Sequence, residues 1–178
     1  HLLIIGETAY RDHHGIYGYL RQTTPNLDEI KDDLVIFNDV ISPTPRTNSS
    51  LRRALTLASN EDKRPRNDFS IVQMMNSAGY KTFWLSNQKP IEGIKGNKDK
   101  KNKNNYTDKI ITTISNASDF QYFNFYNNSN DKIDYDEALL PVFEKILDDS
   151  YNKKFIVVHL AGSHMPYSKK YPSHFTKS

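Results

Sequence analysis

Two short runs, Leu2-Leu3-Ile4-Ile5-Gly6 and Phe155-Ile156-Val157-Val158-His159-Leu160, are apolar almost without alternation. A strand with one wet face alternates polar and apolar side chains, whereas one buried on both faces does not. Both runs therefore read as fully buried strands. Residues 34–40 and 80–86 are further strand candidates, rich in β-branched and aromatic side chains, and residues 120–126 form a weaker one. Helical signals lie between them. Thr24-Pro25 followed by acids opens one helix. Residues 49–59 and 68–80 are amphipathic, the second stopping at Gly79. Residues 134–149 read as a long helix that Pro141 is expected to kink. Strands alternating with helices need crossover connections, which imply an α/β fold: a mostly parallel sheet with helices on both faces.

Composition narrows the function classes. A chain of 178 residues, 37% hydrophobic, suits one globular domain. No window approaches the roughly 18 continuous apolar residues of a membrane span. The net charge of +3 is small and its acids and bases are intermixed, so no nucleic-acid partner is expected. With no cysteine, disulfides and thiolate metal sites are excluded. Residues 94–105, rich in Lys, Asn and Gly, are read as a mobile basic surface loop whose lysines could meet acidic lipid or glycan phosphate. The chain opens on a strand-like run without initiator Met or signal peptide, and is read as a piece of something longer.

Ligands of open parallel sheets bind beyond the carboxyl ends of the strands. Glu7 stands there, just after Gly6, and His164 stands there after the second buried run, behind Gly162 and Ser163. Both residue types suit Zn²⁺ or a similar cation, although a single Glu or His at a strand end more often serves as a cap or a satisfied loop residue. Thr47 precedes a helix expected to begin near Ser49 or Ser50, where a hydroxyl normally caps the helix and where backbone N–H groups also suit a phosphate. It becomes a nucleophile only if a base or metal takes its proton. By spacing alone, capping comes first. His13 and His14 read as structural, His159 as a satisfied core histidine, and Trp84 as core.

Several blocks, in order, carry a family resemblance: Gly6-Glu7-Thr8, Asp12-His13, Gly18-Tyr19, Thr24-Pro25-Asn26-Leu27, and residues 37–47, 79–88, 134–140 and 159–172. Together they resemble the phosphoethanolamine transferases, membrane-anchored enzymes of the alkaline phosphatase/sulfatase superfamily, over nearly the whole chain. The resemblance implies that residues 1–178 are the N-terminal part of a sulfatase-like catalytic domain. In that reading Glu7 binds a catalytic zinc, Thr47 is the nucleophile and touches the same zinc, Asn87 and Gln88 help hold the phosphoethanolamine group, and His164 binds the substrate phosphate or an additional zinc. The implied reaction transfers phosphoethanolamine from phosphatidylethanolamine, through a covalent Thr47 intermediate, to a lipopolysaccharide acceptor (lipid A or a core sugar). The place implied is the periplasmic face of the bacterial inner membrane, with tethering through an N-terminal membrane domain.

The chain also departs from the family. The later Asp-His-Gly-Glu block that completes the zinc site is absent, and Glu7 with Thr47 falls short of the usual four ligands. The piece by itself is accordingly expected to be inactive. Pro43 and Arg53 stand where lipid A-modifying members place a disulfide, which favours the branch resembling heptose- or core-modifying transferases. Glu92 aligns with a substrate-contacting lysine of some members, and Lys89 or Lys95 could replace that contact. The alternatives are another superfamily hydrolase or phosphoglycerol transferase, since Ser42-Pro43-Thr44-Pro45-Arg46 superficially resembles a sulfatase block, and a non-catalytic lipid- or glycan-binding domain.

Overall fold

The computed structural model describes residues 1–59, 61, 69–88, 110–124 and 135–175. The basic stretch at 94–105 lies outside them. The chain forms two compact units, His1–Glu7 with Pro43–Ser178, and Thr8–Ser42.

The larger unit is built on a four-stranded sheet of β1 (Leu2–Ile5), β2 (Lys81–Ser86), β3 (Phe120–Phe123) and β4 (Lys154–His159), ordered β1-β4-β2-β3. Every pairing is parallel. The register aligns Ile5 with His159, His159 with Ser86, and Ser86 with Phe123, so the four strands finish on one row.

Successive strand side chains point to opposite faces, and each face has its own core. On one face Ile5, Trp84, Phe155 and Val157 pack with Leu55, Val72, Ile111 and Ile114. These last four come from α2 (Thr47–Leu55), α3 (Ile71–Ser77) and α4 (Ile110–Asn116). On the other face Phe83, Leu85 and Ile156 pack with Ile146 of α5 (Leu140–Leu147). The α/β sheet with helices on both faces is therefore present. The entry to β2 is sharply made. Ser70 caps α3 by accepting from the Gln73 amide while Gln73 Oε1 accepts from the Ser70 amide, and Gly79 at φ +81° turns the chain into the strand.

Several expectations are corrected. Residues 34–40 form no strand; a 3₁₀ turn at Lys31–Asp33 leads into irregular chain with Val35, Phe37 and Val40 exposed. β3 ends at Phe123. The helix at 134–149 starts as a 3₁₀ turn, Asp136–Leu139, so Pro141 falls in the first turn of α5, where its missing N–H costs nothing, and kinks nothing. α2 begins at Thr47 itself, two residues before Ser49. α4 is a helix that no sequence signal announced.

The smaller unit holds three 3₁₀ turns, Arg11–His13, Gly15–Tyr17 and Lys31–Asp33, and a short helix, α1 (Pro25–Glu29). Thr23 Oγ1 accepts from the Gly15 amide at 2.9 Å and donates to the His13 carbonyl at 2.7 Å, while Thr24 Oγ1 accepts from the Ile16 amide at 2.9 Å. The two threonines thus staple this turn. His13 lies between the rings of Tyr10 and Tyr19, and His14 Nδ1 meets the Tyr10 carbonyl at 2.8 Å, which fits the structural reading of both histidines.

Candidate active site

Of the four chain segments that leave the sheet at its carboxyl edge, those after β1, β4 and β2 bring residues together, and the register decides which of them meet. Two positions past the common row stand Glu7 after β1, Ala161 after β4 and Gln88 after β2. The ladder continues past the strands through Leu160 N to Ile5 O at 2.9 Å and Asn87 N to His159 O at 3.0 Å. Glu7 is 8% exposed. An ionised carboxylate so withdrawn from water needs donors, and it has them. Thr47 Oγ1 lies 3.1 and 3.0 Å from its two oxygens, and Gln88 Nε2 lies 3.3 Å from Oε2. Gln88 Nε2 also donates to the Leu160 carbonyl at 2.7 Å, which bridges the β2 and β4 exits.

Thr47 does not cap α2 with its side chain. The residue in the N-cap position is Arg46, and no side chain caps that end. The hydroxyls of Thr44 and Ser49, 2.6 Å apart, both face the Arg46 carbonyl and shape the turn instead. This leaves the Thr47 hydroxyl to the Glu7 carboxylate.

The other candidates are placed differently. Asn87 has its amide engaged at both ends, Nδ2 donating to Asp136 Oδ1 and Oδ1 accepting from Asn124 Nδ2, each at 2.9 Å. His164 lies on the turn after β4, exposed, with Nδ1 2.9 Å from the Met165 carbonyl. The preceding residue ties that turn to the acid through Ser163 N to Glu7 O at 3.0 Å. His159 is buried as expected but only half satisfied: Nδ1 lies 3.3 Å from Ser86 Oγ, and Nε2 finds no hydrogen-bond partner among the described residues. Burial pushes its pKa down to about 4, against the upward pull of the Glu7 and Asp136 carboxylates. The ring is neutral at physiological pH.

Asp136 is a residue that sequence reasoning passed over. It sits in the first turn of the helical segment, where an acid reads as ordinary complement to the helix dipole. Only its hydrogen bonds give it away: besides Asn87, it accepts from the Ala161 amide at 2.7 Å and the Gly162 amide at 2.9 Å.

Glu7 and Thr47 offer two hard oxygen donors side by side, a pair that suits Zn²⁺ in kind. Their number falls short, since no group of three or more His, Cys, Asp or Glu able to hold a metal occurs among the described residues.

The pattern of the sulfatase family matches residues 1–178, the full chain. The chain belongs to that family. The phosphoethanolamine transferase CptA of Salmonella typhimurium is 35% identical to this chain over 179 residues, and the phosphoethanolamine transferase EptC of Escherichia coli K12 is 35% identical over 177. Each alignment takes in 96% of this chain and 28% of the relative, so the chain spans under a third of either protein. The crystal structure of the C-terminal periplasmic domain of E. coli EptC, in complex with Zn, superposes with a TM-score of 0.82 at 33% identity. It covers 97% of this chain and 46% of that one. No helix among the described residues is long and apolar enough to cross a membrane.

Proposed function

We propose that this chain is part of a phosphoethanolamine transferase that takes the group from phosphatidylethanolamine and passes it, through Thr47, to a lipopolysaccharide acceptor (lipid A or a core sugar) at the periplasmic face of the inner membrane. The observation that carries the reading is the Thr47 hydroxyl directed at both oxygens of a buried Glu7. The names of the relatives and the periplasmic domain of EptC support it.

Thr47 Oγ1 attacks phosphorus and its proton moves toward Glu7 as the new O–P bond forms. The bond to the diacylglycerol oxygen breaks, and that oxygen takes up the proton released by Thr47 and leaves as diacylglycerol. In the second half an acceptor hydroxyl attacks phosphorus of the phosphoethanolamine ester on Thr47, the Oγ1–P bond breaks, and Thr47 takes up the proton that the acceptor hydroxyl loses. Asn87, Gln88 and His164 are the residues assigned to the phosphoethanolamine group in this reading, Asn87 being also held by Asp136 and Asn124. Glu7 and Thr47 would contribute two ligands to a zinc ion, with others from outside the described residues, and a bound zinc would supply Lewis-acid stabilisation of the phosphoryl oxygens. Phosphoryl transfer asks mainly for positioning and charge neutralisation, so a strand end whose acid is held by Thr47 and Gln88 is a fitting support.

The test incubates the full-length protein with phosphatidylethanolamine labelled in the ethanolamine. A labelled adduct on Thr47, lost in Thr47→Ala and reduced in Glu7→Gln, is expected. Turnover of sulfate esters without any adduct would overturn the reading in favour of a sulfatase.

A further inference from the structure

Asp136 lies 25 or more residues from the segments it binds in the sequence, yet its two oxygens collect three N–H groups from two of the three chain segments that form the site. Oδ1 takes Asn87 Nδ2 and the Ala161 amide, and Oδ2 takes the Gly162 amide. Bonds to an ionised carboxylate are the stronger kind, and one that accepts from backbone N–H groups locks a turn rather than a side chain. The turn it locks has no slack against Glu7. Gly162 sits at φ +51°, and a Cβ built there would lie 2.6 Å from the Glu7 carbonyl oxygen and 2.9 Å from its amide nitrogen. The next amide, Ser163, donates to that same carbonyl. Displacing residues 161–163 therefore displaces the Glu7 peptide. Asn87, with its amide held between Asp136 and Asn124, belongs to the same frame.

We propose that Asp136 is a positioning residue for the Glu7–Thr47 pair, acting by fixing the Ala161–Gly162 turn against the Glu7 backbone, with Asn87 as its strut to β2. The role in catalysis rests on the transferase reading above; the coupling of the turn to Glu7 does not. A carboxylate is required here. An asparagine at 136 would bring one acceptor oxygen to three donors and would turn its own NH₂ toward an N–H group.

The experiment compares the full-length wild type with Asp136→Asn, nearly the same in volume, and with the double variant Asn87→Asp/Asp136→Asn, which restores a donor–acceptor match between the two positions. Amide hydrogen exchange is read at Ala161, Gly162 and Ser163, with Val157 and Val158 of β4 as internal controls, alongside kcat and KM for phosphatidylethanolamine. In Asp136→Asn the three turn amides are expected to exchange at least about tenfold faster with the β4 controls unchanged, and kcat to fall roughly 10–100-fold with KM within about twofold. The double variant regains part of kcat. Unchanged exchange at Ser163 would overturn the coupling. A kcat that follows only the folded fraction, or that does not fall, would overturn the positioning role. If the wild type transfers no phosphoethanolamine, the function reading fails on its own, and exchange at residues 161–163 still decides whether Asp136 holds this turn to Glu7.

Discussion

Residues 34–40 and 81–86 carry the same kind of sequence, Leu-Val-Ile-Phe-Asn-Asp-Val and Lys-Thr-Phe-Trp-Leu-Ser, yet only the second is a strand. β2 lies between β4 and β3, so its backbone is bonded along both edges and its side chains enter a core on each face. Thr82 to Ser86 are nearly inaccessible, and Trp84 and Leu85 are wholly so. In residues 34–40, by contrast, Val35 is 83% and Phe37 66% exposed. β-propensity is fitness for a pleated, half-buried surface, and it makes no strand where no neighbour supplies that surface.

That contrast can be attacked at its strong side first. Trp84→Ala removes the largest wholly buried side chain and is expected to lower the unfolding free energy by about 3–5 kcal/mol in urea titrations. A cost near zero would mean that the two segments do not differ in packing.

The next effect is electrostatic and belongs to the end of β4. Between its ordinary pKa of 6.5 and the folded value of about 4, His159 takes up a proton in the unfolded chain that the folded chain refuses. Stability from this source is therefore whole above pH 6.5 and falls as the pH drops toward 4, by roughly 3 kcal/mol. His159→Gln should flatten that part of the stability–pH curve, and parallel curves for the two proteins would sink the assignment.

A smaller but more local loss is expected from Gly162→Ala. Its positive φ and its contact with the Glu7 peptide should cost more than about 1 kcal/mol, with Glu7-dependent chemistry failing as well. Phe37→Ala closes the series: an exposed side chain on irregular backbone should change stability by less than about 0.5 kcal/mol in the same titration. A loss close to that of Trp84→Ala would show that residues 34–40 are buried against something in solution.

The sequence made some of this legible and hid the rest for physical reasons. β1 and β4 are legible because a continuous apolar run has few places to go other than the middle of a sheet. β2 and residues 34–40 could not be told apart, since partner strands are a property of the tertiary structure. α4 was hidden because five of its seven residues are β-branched; Ile111 and Ile114 hold it as a helix by packing into the core, which overrides the weak intrinsic preference. In the site, Glu7 could be placed from the rule for strand ends, and its meeting with Thr47 was suggested by family resemblance. Asp136 was illegible, since two of its three partners are backbone amides, which no residue type advertises, and the third, Asn87, is 49 residues away in the sequence.

β1 has a consequence of its own. It carries Glu7, runs for four residues and, among the described residues, is bonded to β4 alone, with Leu2 and Ile4 substantially exposed. A ribbon zipped along one side frays at a lower temperature than one zipped along both. For residues 1–178 taken alone, warming is thus expected to loosen β1, and with it the contact of Glu7 with Thr47, before β2 and β4.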